Sequence, residues 1–115
     1  MSGVTLVWLA LLLSASAAAV ADDPVTVRIY NDDPDDIVVN VYDLNTRPKA
    51  LIATQRINGF AWIPIFLTAS AAGKGHLQVI ARTADPDFPR CGYLEERGLQ
   101  SDSAVFVSAT SNCRK

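Results

Sequence analysis

Any catalytic site in this chain would have to be assembled from very few groups. Its 115 residues include one histidine, His76, and two cysteines, Cys91 and Cys113. A serine or cysteine nucleophile needs a base within reach and a third group to orient that base. The single histidine sits beside the turn sequence Gly73-Lys74-Gly75, and no Gly-x-Ser-x-Gly run occurs. His76 therefore reads as a surface residue at a hairpin. Carboxylates are more plentiful, and a pair can act as acid and base if the fold separates their pKa values. Here they lie in turn sequences, where solvation keeps carboxyl groups ordinary. The chain reads as a non-enzyme that needs no cofactor.

The carboxylates have a second possible use. Residues 22–43 hold seven Asp against Arg28 alone, a local charge of −6, whereas residues 44–115 hold nine Lys or Arg against five acids. Calcium takes several oxygen ligands from carboxylates and carbonyls, and Asp32, Asp33, Asp35 and Asp36 are the weak candidates for holding one. Asp22 and Asp23 cannot join them, because the strand Val25–Tyr30 between the two groups is about 20 Å long at ordinary strand rise. The turn also lacks EF-hand spacing. A solvated acidic turn is the expectation, and metal ligation the alternative.

The segment Phe60 to Leu67 offers binding chemistry instead. Phe60, Trp62, Pro64 and Phe66 alternate with Ala61, Ile63, Ile65 and Leu67, so neither strand face is polar. Either the strand is buried on both sides, or one face is an exposed contact surface for a protein or a sugar ring. Just before it, Asn58-Gly59 separates two apolar runs, the pattern of a two-residue type I′ hairpin. That turn would set Ile57 opposite Phe60, Gln55 opposite Trp62 and Leu51 opposite Phe66. A glutamine beside a tryptophan is a poor choice for a dry core, because its amide needs partners there. Gln55, Ile57, Phe60 and Trp62 together form the candidate binding patch.

Strands must position these groups. Val25-Thr26-Val27-Arg28-Ile29-Tyr30 and Ile37-Val38-Val39-Asn40-Val41-Tyr42 alternate apolar with polar, and an acidic turn between them predicts a hairpin. Ala50–Ile57 and Phe60–Leu67 form the next predicted pair. Leu77, Val79 and Ala81 mark a fifth strand, Tyr93–Glu96 a weak one, and Ala104–Thr110 the last. Pro64 cannot donate to a ladder, so it belongs at an edge, at a bulge, or with its nitrogen turned away from a neighbour. Six to seven short strands without an amphipathic helix predict an all-β fold. The expected form is an antiparallel β-sandwich of immunoglobulin-like layout, with a small barrel as the alternative.

The first 21 residues stand apart. Val4 to Val20 carries no charge, is built around Leu6–Leu13 and runs into the small residues of Ala19-Val20-Ala21. The stretch falls short of the roughly 20 residues of a membrane span. It reads as a cleavable signal peptide, with cleavage before Asp22, which leaves residues 22–115 as one domain with no membrane association. In an oxidising compartment Cys91 and Cys113 read as a disulfide. The basic residues are scattered singly, against nucleic-acid binding. In overall plan the chain resembles small uncharacterised exported proteins of bacteria, with a leader and one single-disulfide β domain. The expected role is that of a periplasmic or secreted binding domain with a protein partner or self-association. The alternative is a small-ligand binder for carbohydrate or calcium.

Overall fold

A computed structural model describes residues 23–113, so the signal-peptide expectation for residues 1–21 lies outside it. Within that range the period-two alternation becomes eight strands: β1 (Val25–Asn31), β2 (Ile37–Asp43), β3 (Ala50–Ile57), β4 (Trp62–Leu67), β5 (Gly75–Thr83), β6 (Arg90–Leu99), β7 (Ser103–Val107) and β8 (Ser111–Asn112). The number exceeds the expected six to seven. The weak Tyr93–Glu96 signal belongs to the ten-residue β6, and the two-residue β8 carries no pattern a sequence could show.

The strands divide into two sheets, β4-β1-β7 and β3-β2-β5-β6-β8, with no closed barrel. Their facing sides form one core. Val27 and Ile29 of β1, Ile63 and Leu67 of β4, and Val105 of β7 meet Val39 and Val41 of β2 and Leu77 and Val79 of β5. Burying a side chain of this size stabilises by about 1.5–3 kcal/mol, and every strand except β8 contributes to or packs against this layer. The expected all-β sandwich is what forms.

Strand pairing differs from the sequence expectation at two places. β1 pairs antiparallel with β4 and parallel with β7, not with β2. β3 pairs with β2 and lies in the other sheet from β4, so Asn58-Gly59 does not close a hairpin. Gln55 stands opposite Val39, and Trp62 stands opposite Tyr30. Only β2–β3 and β5–β6 are neighbours both in sequence and in a sheet. Elsewhere the chain changes layer at each connection.

The 58–61 corner shows why. Ala61 N–H donates to the Asn58 carbonyl at 2.9 Å, and the residue at positive φ is Phe60 (59°), not Asn58 or Gly59. Gly59 is needed for close approach: a Cβ there would collide with the Pro34 carbonyl. Its N–H donates to Asp36 Oδ1 at 2.9 Å, and Phe60 N–H donates to the Asp33 carbonyl at 3.1 Å. The corner is thus docked on the acidic turn between β1 and β2. A second crossing occurs at residues 108–110, which pass so close over β6 that a Cβ on Gly92 would strike the Ser108 carbonyl.

Pro64 lies on an edge strand, one of the placements open to a residue that cannot donate to a ladder. Asn31 N–H donates to the Ala61 carbonyl, in the same register that sets Ile29 opposite Ile63 and Arg28 opposite Pro64. Hydrogen-bonded pairs therefore fall on Ile63 and Ile65, and the Pro64 nitrogen faces the open side of β4.

Candidate functional site

Alternation places the even-numbered residues of β1 and β4 on the outer face of the three-stranded sheet. Trp62 and Phe66 of β4 are exposed there, at 47% and 62%, while Ile63, Ile65 and Leu67 fill the core. Of the two readings left open by the sequence, the exposed face is the one observed. Phe106 of β7 is 58% exposed on the same side, and Tyr30 of β1 stands between them. The rings form a row across all three strands. Tyr30 lies 6.0 Å from Trp62, tilted by 37°, and 5.0 Å from Phe106, stacked at 21°.

Arg28 sits one step along β1, opposite Pro64 on one side and Ala104 on the other. Its guanidinium carbon is 5.7 Å from the centroid of the Trp62 ring. A cation over a ring is worth about 0.5–1 kcal/mol at an exposed site, so this contact holds both side chains in place. The remaining outward residues are Thr26, Pro64 and Ala104. Arg28 is the one charged side chain among the strand residues of this face.

The outer face of the five-stranded sheet mixes the exposed Leu51, Ile80 and Tyr93 with paired polar groups. His76 and Glu95 are bonded at 2.7 Å between Nε2 and Oε2, with Arg97 at 3.4 Å from the same carboxylate. The His76 bond comes first among the effects that hold the Glu95 carboxyl below its ordinary range. Thr54 donates to Asn40 at 2.9 Å and Lys49 to Gln78 at 3.0 Å. Polar side chains on this face are largely occupied by one another. His76 is half-buried in this network and not isolated at a turn.

The four residues of the expected patch are not brought together. Trp62 belongs to the aromatic row, and Phe60 is exposed in the corner turn. Ile57 is 1% exposed, a core residue. Gln55 is exposed on β3, in the other sheet. Tyr30, Phe106 and Arg28 were not singled out in the sequence. The available signal was the outward phase of the alternation, since each follows or precedes a buried Val or Ile on its own strand.

The acidic turn is more than solvated. Asp33 is buried and its Oδ1 accepts the Asp35 N–H at 3.1 Å. Asp36 accepts from Arg56 at 2.6 Å and from the Gly59 N–H, and these bonds lower its pKa from the ordinary value. Asp32 and Asp35 are exposed. Among the described residues no three His, Cys, Asp or Glu side chains are grouped to hold a metal ion.

Cys91 and Cys113 form the expected disulfide. It lies beside the β6–β8 pairing of the five-stranded sheet, where Cys91 stands opposite Ser111, whereas in antibody domains the bond joins the two layers. A disulfide points to an oxidising, non-cytoplasmic compartment. No helix among the described residues is long and apolar enough to cross a membrane.

No family model, curated protein or solved structure matches this chain. The functional reading therefore rests on the face itself.

Proposed function

We propose that this is an exported, non-catalytic protein-binding domain whose contact surface is the outer face of the three-stranded sheet. The observation that carries the reading is the row Trp62–Tyr30–Phe106, flanked by Phe66 and left uncovered on a sheet whose other side is core. Aromatic side chains of this kind supply most of the energy at protein interfaces, because they bring large area at little entropy cost. A non-catalytic role is supported by the use of both cysteines in the disulfide, which removes them as nucleophiles. The leader sequence and the disulfide support export.

Ring geometry favours a protein over a sugar. A sugar ring needs an open aromatic face to stack on. Here Tyr30 and Phe106 each turn one face to the other, and the Trp62 ring has Arg28 over one face and Tyr30 beside it. Faces on which a sugar would stack are thus partly taken by neighbouring side chains.

The test is to cross-link the exported protein in its own compartment and compare wild type with Trp62→Ala and Phe106→Ser. Both variants are expected to keep a native melt and to lose the same cross-linked partner. Retention of that partner in both variants would remove the face from the interaction.

A further inference from the structure

We infer that the partner of this face is an acidic protein segment, one that sets an Asp or Glu carboxylate among apolar side chains so that the carboxylate meets Arg28. The inference rests on the binding role proposed above and specifies its chemistry.

Arg28 occupies the centre of the face, flanked across the strands by Pro64 and Ala104. Among the described residues no carboxylate lies within ion-pair distance of it, as is also true of Arg47, Arg82 and Arg90, but Arg28 alone of these stands on the aromatic face. The described partner of its guanidinium is the Trp62 ring. A partner that covers Trp62 and Phe66 must also cover Arg28 and remove water from it. Burying a charge without a counter-charge is costly, and leaving one partner of a desolvated pair unmatched is what interfaces avoid. A guanidinium presents a planar fork that a carboxylate matches with two bonds. The partner must therefore bring the anion.

The same requirement argues against a second copy bound face to face. A two-fold interface applies the same patch to itself, and the strand residues of this patch include no Asp or Glu. The exposed Asp32 and Asp102 lie just beyond β1 and β7 at the ends of the face, so two faces applied squarely would set two guanidinium groups at the centre with carboxylates only at the rim.

The experiment selects random 12-residue peptides displayed on phage against the exported protein, then measures the affinity of the synthesised winners. The winners are expected to carry Asp or Glu among apolar residues. Changing that acid to its amide should weaken binding to wild type at least tenfold, and binding to Arg28→Gln less than twofold. Arg28→Lys should recover part of the difference, while Trp62→Ala should weaken acid and amide peptides alike. Thermal melts of each variant separate lost binding from lost folding. Winners whose acid and amide forms bind equally would overturn the acidic partner yet leave the face as a binding site. Winners indifferent to both Arg28→Gln and Trp62→Ala, or no winners at all, would overturn both readings. Concentration-dependent dimers by light scattering that vanish in Trp62→Ala would replace the acidic partner with a second copy. Binding to vesicles of anionic lipid that needs Arg28 while no acidic peptide is selected would replace it with a membrane.

Discussion

The side-chain amide of Asn31 donates to the Ile57 carbonyl at 3.1 Å and so ties the end of β1 to the end of β3, in the opposite sheet. The same amide donates to the carbonyls of Asp35 at 2.8 Å and Asn58 at 3.2 Å. Asn31 is 1% exposed, and its Oδ1 has no hydrogen-bond partner among the described residues. Two turns and two sheets thus converge on one donor group.

That geometry ranks three substitutions. Asn31→Ala removes the donor from three carbonyls and should cost about 2–3 kcal/mol. Asn31→Asp should cost more, because a carboxylate offers only acceptors to the same carbonyls. Asn31→Gln retains the amide on a longer stem and should be intermediate between wild type and alanine. Urea denaturation of the three variants measures the order, and Asp proving milder than Ala would contradict this account of the corner.

The corner itself separates close approach from turn propensity. A type I′ hairpin would need positive φ at Asn58 and Gly59, whereas the positive φ is at Phe60. Asn58→Ala should therefore change stability by less than about 0.5 kcal/mol. Gly59→Ala should cost about 1–3 kcal/mol by crowding the Pro34 carbonyl, and Phe60→Gly should be neutral or stabilise by about 1 kcal/mol. Chemical denaturation would reveal a reversed ranking.

The disulfide spans a sequence separation of 22 and holds a two-residue strand against β6. Replacing both Cys91 and Cys113 with Ala should cost about 3 kcal/mol in the chain-entropy account. Hydrogen exchange should rise first over residues 108–113, while amides of β2 and β5 keep their protection. Uniform loss across both sheets would assign the bond a wider role.

Acid should act through Asp36 and Glu95. The Arg56 guanidinium, followed by the Gly59 N–H, holds the Asp36 carboxyl below its ordinary range, and His76 does the same for Glu95. A carboxyl whose pKa is lowered by folding contributes stability that is complete above its unfolded value, about 4. The contribution is lost as pH falls through the folded value. Stability should thus decline below about pH 4, and Asp36→Asn and Arg56→Gln should each flatten that decline. An acid limb unchanged in both variants, read from melts between pH 2 and 6, would refute the assignment.

The inward residues were legible in the sequence because alternation is a local property. Val25, Val27 and Ile29, Ile37, Val39 and Val41, and Leu77, Val79 and Ala81 all face the core as their spacing predicts. The cysteine pair was legible for a similar reason, and what Pro64 cannot bond confined it to an edge, a bulge or an outward-turned nitrogen, of which the edge is the one the fold uses. Which strands would pair was not. Asn58-Gly59 and the acidic turn have the composition of hairpin turns, but the same residues serve equally well where a chain crosses from one sheet to the other. The choice depends on groups brought near only by folding, such as the Pro34 carbonyl against Gly59 and the Asn31 amide against Ile57.

The binding face shows the same division most plainly. The sequence alone determined that Trp62, Pro64 and Phe66 share one side of a strand, because successive side chains point opposite ways. It also determined that Tyr30 and Phe106 alternate with buried residues. Only the tertiary structure decided that these strands are neighbours and that their outward sides coincide. Tyr30, Trp62 and Phe106 become one row because a central β1 pairs with β4 on one side and β7 on the other. The contacts that set this order span most of the domain and leave no trace in the spacing of any one segment.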